Sequence, residues 1–411
     1  MVGSGISGLA AAWLLSRRHE VELFEKDARL GGHAHTHTIV SGERELQLDS
    51  GFIVYNERTY PNFTRLLARL GVAGQKSDMS FGVRCRRCRL EYSSRGLAGL
   101  FAQKRRALQP SHLSMLADIP RFNRRARAFL GNGAADRPLD EFLAHGRHSR
   151  GFASHFLLPM AGAIWSAPTA DVRGFSTRSL LSFFDNHGWL TLDGAHQWWT
   201  VAGGSRAYVE AIARPLGGRI RLATRVTAIR RDAGGVGLEA AGGYQARYDK
   251  VVIATHADQA LALLADASGA ESATLGRFRY SSNETVLHTD VGALPRARDA
   301  WASWNCDISD CASETAPISV TYHLNRLQAI PATTPYCVSL NRPRPAADKV
   351  LATMTYTHPV MDADAVQAQR DLAQLSGSRH TLFCGAHLGW GFHEDGLNSA
   401  IRAAEQLGVT F

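Results

Sequence analysis

Gly3, Gly5 and Gly8 open the chain in a G-x-G-x-x-G pattern, and that spacing restricts the fold more than any other feature. Each glycine has its own task. The first makes a tight turn after a strand, the second lets the backbone approach a pyrophosphate, and the third lets the next helix pack closely on the sheet. An apolar run from Leu9 to Leu15 follows as the expected helix, then a strand, Val21 to Phe24, ending in Glu25. An acid about twenty residues beyond the glycines accepts hydrogen bonds from ribose hydroxyls. The helix start at Gly5, Ile6 and Ser7 offers free N–H groups to phosphate oxygens. Helix, strand and acid together turn a weak glycine pattern into a strong dinucleotide-binding one. Only Met1 and Val2 precede Gly3, so the first strand is expected either to be a stub or to begin upstream.

The segment Lys26-Asp27-Ala28-Arg29-Leu30-Gly31-Gly32-His33 continues from the acid. It resembles the extension found in flavin amine oxidases, where a Gly-Gly pair and a basic or polar residue pass the pyrophosphate and lead toward the flavin ring. Nicotinamide-dependent dehydrogenases lack that extension, so the resemblance implies FAD. It places Lys26, Gly32 and His33 at the cofactor, with Gly51 and Phe52 of Asp49-Ser50-Gly51-Phe52 beside the flavin. Further matches are spread along the chain. Val201-Ala202-Gly203-Gly204-Ser205-Arg206 resembles the point of re-entry into the cofactor domain. A strand expected over Ile220–Ile229 carries Val226 at the adenine, and the strand ending in Ala254 and Thr255 runs beside the cofactor. Leu382 to Ala386 supplies Gly385. Asp395, Gly396 and Leu397 then begin a closing helix whose positive end faces the flavin's pyrimidine edge. Relatives often carry an acid after the glycine matched by Gly385; here that residue is Ala386. Cys384 lies in no attachment motif, so the cofactor is expected to be noncovalent.

The implied fold class is α/β, a Rossmann-like FAD-binding domain interleaved with a substrate domain of mixed sheet plus helical lobe. Residues 1–60, 200–260 and 375–411 are expected to form the first domain. Residues 60–200 (helical) and 260–375 (strand-rich, with strands at Val320–His323 and Val350–Tyr356) form the second. The stretches HLGWGFHEDGLNSA, LDSGFIVYNERTYPNF, AIWSAP and NHGWL are similar to a narrower bacterial group of flavin oxidoreductases. That group is associated with modification of acyl chains in membrane phospholipids, including desaturation beside a methyl or methylene branch.

Dehydrogenation of a hydrophobic substrate needs a hydride acceptor and a group that takes a proton. His393 and His37 are the candidates for proton handling, because histidine titrates near neutral pH, and Trp390 is expected to wall the ring. His33, His35 and His37 would share one face of a strand. They are read as orienting flavin or substrate, or as hydrogen-bonded packing, in preference to binding metal. Asn186-His187-Gly188 and Trp165-Ser166 are assigned to an acyl pocket, and the apolar run Phe156–Trp165 to a lipid tunnel or a buried helix. Amine oxidases often hold a water near the flavin with a lysine. None of the five lysines, at 26, 76, 104, 250 and 349, has a distinctive context for that task. The rival readings are an amine, porphyrinogen or carotenoid oxidase, and a flavoprotein that binds lipid or a partner without turnover.

Net charge is +9, carried mostly by arginine, which reads either as genomic bias or as affinity for anionic surfaces. Lys104, Arg105 and Arg106, followed by Arg121, Arg124, Arg125 and Arg127, favour peripheral contact with an anionic membrane. No recognised nucleic-acid module accompanies the charge. The six cysteines include the pair Cys85-x-x-Cys88. With Cys306 and Cys311 a poor second pair, ordinary thiols in a cytoplasmic protein are expected. No apolar run is long enough to span a membrane, and no secretion leader is visible.

Overall fold

The computed structural model describes residues 1–165, 169–191, 196–313 and 318–411, with Trp165 described by its backbone alone. The expected acyl-pocket pair Trp165 and Ser166 therefore lies outside the described side chains. A parallel ladder is assembled from five distant stretches. Ile220–Arg221 pairs with Leu23–Phe24, and Val251–Ile253 pairs with Thr381–Phe383. Val2 bridges Phe24 on one side and Ile253 on the other. Phe24 N donates to Met1 O (2.9 Å) and Ala254 N to Val2 O (2.8 Å), so Met1 to Gly3 act as the central strand of this ladder. The inner segments Leu23–Phe24, Val251–Ile253 and Thr381–Phe383 are buried and apolar but for Thr381, as a parallel sheet covered on both faces requires, while Ile220–Arg221 at the edge is half-buried.

The helix Ile6–Leu15 hides nine of its ten residues. A helix apolar on all sides must be covered on all sides; the closing helix His393–Gln406 and the helix Arg206–Ala213 both pack against it. The strand expected over Ile220–Ile229 is two strands. Ile220–Arg221 stays in the parallel ladder, while Val226–Asp232 joins an antiparallel sheet with Gly235–Ala240 and Tyr244–Tyr248. The break lies at Ala223, whose φ of 49° is left-handed. Ala223 N and Thr224 N donate to Asp27 O and Glu25 O, so the same turn pins the loop that carries the acid.

The second layer is a seven-stranded mixed sheet. Its order is Val350–Pro359, Tyr280–His288, Cys337–Leu340, Ile318–His323, Trp304–Ile308, Phe81–Cys85 and Glu91–Ser93. The last two strands come from the stretch read as helical, and Trp304–Ile308 runs parallel to Phe81–Cys85. Against that edge lie the helices Pro110–Gly131, Leu139–Gly146 and Thr177–Asn186, sharing one core with it through Val83, Tyr92, Phe122, Phe152 and Phe184. The apolar run 156–165 is helical, with a π-turn over Ala153–Leu157 before Leu158–Trp165. Among the described residues, no helix is long and apolar enough to cross a membrane.

Candidate active site

A cavity of about 710 Å³ runs between the ladder and the seven-stranded sheet, within the size range of ligand sites. Of the residues singled out in the sequence, Gly3, Gly5, Ile6, Ser7, Glu25, Lys26, Gly32, His33, Gly51, Phe52, Val226, Ala254, Thr255, Gly385, Trp390 and His393 line it. Five others do not. Gly8 is a packing glycine: a Cβ there would sit 1.9 Å from Gly3 O. Gly396 packs on Ile6 and Ser7, with a Cβ position 2.8 Å from Ile6 Cγ2, and Leu397 is wholly buried in the core between the helices. Asp395 turns back to accept from Trp390 N (3.0 Å) and Phe392 N (2.9 Å). His37 stands behind Ser50, outside the cavity wall.

The ladder end of the cavity is shaped for a dinucleotide. No side chain caps the helix Ile6–Leu15, so its first N–H groups are free for phosphate. Nothing lies within 4 Å of a Cβ built at Gly5, whereas one at Gly32 would meet Gly5 Cα at 3.1 Å. The two motifs thus close on each other and leave open space over Gly5. Glu25 is held by Ser4 N (2.9 Å) and Ser4 Oγ (2.6 Å) on one oxygen and by Asp27 N (2.9 Å) on the other. The oxygen that accepts only from Asp27 N keeps a lone pair for a ribose hydroxyl. His33 Nε2 is buried without a partner, a polar atom that a bound group would satisfy. Arg29, passed over in the sequence, lines the cavity and ties its own loop through Gly32 O at 2.8 Å. These residues fit FAD.

At the other end, Phe52 and His393 stack, and His393 Nε2 meets the Tyr208 hydroxyl at 2.7 Å. Burial, then the nearby His33, lowers the His393 pKa to about 3, so the ring is neutral and a weak base. The stronger proton-handling geometry lies elsewhere. The Tyr356 hydroxyl is 2.7 Å from Ser50 Oγ and 3.0 Å from His35 Nδ1, and Ser50 Oγ is 2.8 Å from His37 Nε2. Tyr356 and Ser50 face the cavity, and the two imidazoles stand behind them. Burial is the largest cause lowering both, His35 to about 3 and His37 to about 4, with Arg29 next.

The three early histidines do not share one face. The His35 and His37 rings lie 4.0 Å apart and tilted by 35°, while His33 points to Tyr356, His358 and His256. Burial likewise lowers His33 to about 3 and His358 to about 4. Tyr356, His256, His358 and His387, all lining the cavity, were not anticipated. The period-two relation of Tyr356 and His358 at the end of the strand Val350–Pro359 was the available signal.

A second cavity of about 370 Å³ shares Tyr60, Trp390 and Phe392 with the first and adds Phe183, Asn186 and His187. The Asn186–His187 pair assigned to an acyl pocket therefore borders a space that adjoins the main one.

Solved structures with this fold include a putrescine oxidase bound to putrescine, 13% identical with a TM-score of 0.68, covering 99% of this chain and 97% of that one. A CLA-producing fatty acid isomerase from P. acnes is 15% identical with a TM-score of 0.66, covering 97% and 96%. Cyclohexylamine oxidase from Brevibacterium oxydans is 17% identical with a TM-score of 0.65, covering 99% and 98%. No curated protein matches the sequence significantly. The model of the flavin-containing amine oxidoreductase family matches residues 6–282, which takes in the helix after the phosphate turn, the Gly-Gly extension and the re-entry segment. The chain is an FAD-dependent oxidoreductase and belongs to the flavin-containing amine oxidoreductase family.

Proposed function

We propose that the enzyme dehydrogenates an apolar substrate, a phospholipid acyl chain being the specific candidate. The carrying observation is the chemistry of the cavity beyond Gly51 and Phe52. Among the described residues there, its wall is aromatic and aliphatic (Tyr60, Ile164, Tyr322, Leu340, Tyr356, Phe392) with neutral imidazoles, and it holds no lysine and no carboxylate. An ammonium substrate would be desolvated there without a counter-charge, at a cost of several kcal/mol. The adjoining cavity does contain Glu394 and Asp395, but both are engaged with backbone N–H groups.

Bound FAD supplies a two-electron acceptor for hydride. The chain's own residues supply the rest. Phe52 and His393 form a rigid apolar wall, Trp390 and Phe392 line both cavities, and the Tyr356 hydroxyl can pass a substrate proton through Ser50 toward His37, the less depressed of the two imidazoles behind it. The fatty acid isomerase and the amine oxidases share this fold, so fold alone does not choose among substrates; the wall chemistry favours the lipid.

Access from a bilayer fits the segment 97–113. Leu97 and Leu108 are 75% and 87% exposed, beside exposed Lys104 and Arg105 on the short helix Lys104–Leu108. Exposed leucines flanked by cations match an interfacial membrane contact.

The test is anaerobic mixing of the flavoprotein with branched-chain phospholipid, putrescine or a porphyrinogen. Bleaching of the flavin by the lipid alone supports the reading. Bleaching by the amine or porphyrinogen and not by lipid overturns it, and lipid binding without any bleaching assigns a non-catalytic role.

A further inference from the structure

Four side chains far from the flavin cavity converge where the seven-stranded sheet meets the helical lobe. We propose that Cys85, Cys88, Cys311 and His155 together hold one zinc ion. Their ligand atoms, three Sγ and one imidazole nitrogen, all lie within 4.8 Å of one another. A tetrahedral zinc with Zn–S of about 2.3 Å sets its sulfurs roughly 3.8 Å apart, so the group needs only a small contraction around an ion. Three thiolates and one imidazole form a closed, structural type of zinc site, with no position left for substrate.

The backbone presents these ligands in the way a metal requires. Cys85 ends the strand Phe81–Cys85, a tight turn over 86–88 brings Cys88 back beside it, and Arg89, in the left-handed region at φ 56°, returns the chain so that Cys85 N donates to Leu90 O (2.8 Å). The Cys88 N–H points at Cys85 Sγ and the Leu90 N–H at Cys88 Sγ, contacts that favour thiolate. Cys311 follows the neighbouring parallel strand Trp304–Ile308, and an Arg87–Asp310 ion pair at 2.9 Å ties its loop to the Cys-x-x-Cys turn. His155 sits in the π-turn Ala153–Leu157, an irregularity that often marks functional sites.

The tautomer is also arranged. Ser154 Oγ donates to Arg150 O (2.8 Å), leaving its oxygen to accept from His155 Nδ1 at 3.1 Å. That bond puts the ring proton on Nδ1 and leaves the Nε2 lone pair, 3.3 Å from Cys88 Sγ, facing the sulfurs. The three thiols release their protons to solvent when the metal binds. The resulting net negative charge lies among Arg86, Arg87 and Arg89 of the same turn.

The expectation of ordinary thiols was drawn from the lack of a second closely spaced pair, and the proposed site needs none. Cys306 is not a partner: it is buried against Pro159 O. The other two ligands arrive singly, from positions 155 and 311, and topology joins what spacing does not. A zinc here would staple the sheet edge to the helix that carries Ile164 into the cavity wall.

The test is metal analysis of the flavoprotein purified under reducing conditions and then incubated with Zn²⁺ alone. About one zinc per chain is expected, with an X-ray absorption spectrum of three sulfurs at about 2.3 Å and one nitrogen at about 2.0–2.1 Å. Cys311→Ser and Cys88→Ser should each lose the metal while keeping the flavin. Should those variants fail to fold, the wild-type stoichiometry and absorption spectrum decide alone. Absence of stoichiometric zinc, a spectrum of oxygen ligands, or a Cys85–Cys88 disulfide found by mass spectrometry in place of metal would each overturn the assignment.

Discussion

The His393 imidazole lies flat against the Phe52 ring, their centroids 3.6 Å apart and their planes within 6° of parallel. The pair joins the Asp49-Ser50-Gly51-Phe52 segment to the first residue of the closing helix, and Tyr208 holds the ring's edge. A neutral ring clamped on three sides is a wall. His393→Ala should therefore cost about 2–4 kcal/mol of stability, as a buried large-to-small change does. Turnover in the surviving enzyme should keep the wild-type pH profile between about pH 5 and 9. Loss of one limb of that profile would show that His393 titrates during the reaction.

Tyr356 is where proton transfer should be lost. Tyr356→Phe removes the hydroxyl shared by Ser50 and His35 and should slow flavin reduction by about a hundredfold or more. Flavin content should stay near that of the wild type, because no ladder contact is touched. His37→Gln, one hydrogen bond further away, should slow it less. Equal, small effects in stopped-flow reduction would make this network a packing device.

The difference between what the sequence revealed and what it concealed follows from contact range. Gly3, Gly5 and Glu25 act within one βαβ segment, so their spacing carries their geometry. Tyr356, His256 and His387 come to the cavity from separate strands and loops, and no local pattern connects them to His33. The shared face expected of His33, His35 and His37 does not form because the strand begins only at Thr36, leaving the first two in irregular backbone. The split at Ala223 was concealed because a left-handed alanine leaves no mark in composition. The cluster of Cys85, Cys88, Cys311 and His155 was hidden for the same reason as Tyr356: His155 stands 67 positions from Cys88.

Stability should fall in mild acid. Burial is the largest cause holding nine histidines at about 3 or 4, against 6.5 when unfolded. The unfolded chain binds more protons between those values, so their contribution is complete above about pH 6.5 and is lost as pH drops toward 4. Asp49 and Asp395, raised mainly by burial to about 6, act oppositely, since their cost grows as pH rises from about 4 to 6. Nine groups against two give a net loss on acidification. Melting temperatures across a pH series should decline from about pH 6.5 downward; a flat profile to pH 5 would mean that these rings protonate freely in the folded state.

Docking to a bilayer should need both the leucines and the cations of the segment 97–113. Changing Lys104 and Arg105 to Glu should weaken sedimentation with anionic vesicles by about tenfold or more, each basic residue contributing about 1 kcal/mol. Leu108→Ser should weaken it on neutral vesicles as well. Binding indifferent to all three changes would place the lipid contact elsewhere.

Glu394 caps a helix that cannot cap itself. The helix Pro61–Leu70 begins after Tyr60, whose side chain makes no capping bond, and Glu394 reaches across to accept from Asn62 N (2.9 Å) and Phe63 N (2.8 Å). Removing those bonds strands one buried and one half-buried donor, so Glu394→Ala should destabilise by about 1–2 kcal/mol. Glu394→Gln keeps an acceptor oxygen but presents an NH2 group to the second donor, so it should recover only part of that loss. Since Phe63 meets both Phe52 and His393 edge-on, loosening this helix should also relax the aromatic wall. Flavin release from Glu394→Ala should then begin at a lower temperature than from the wild type, readable as the onset of free-flavin fluorescence. Unchanged onset with lowered global stability would separate the cap from the wall.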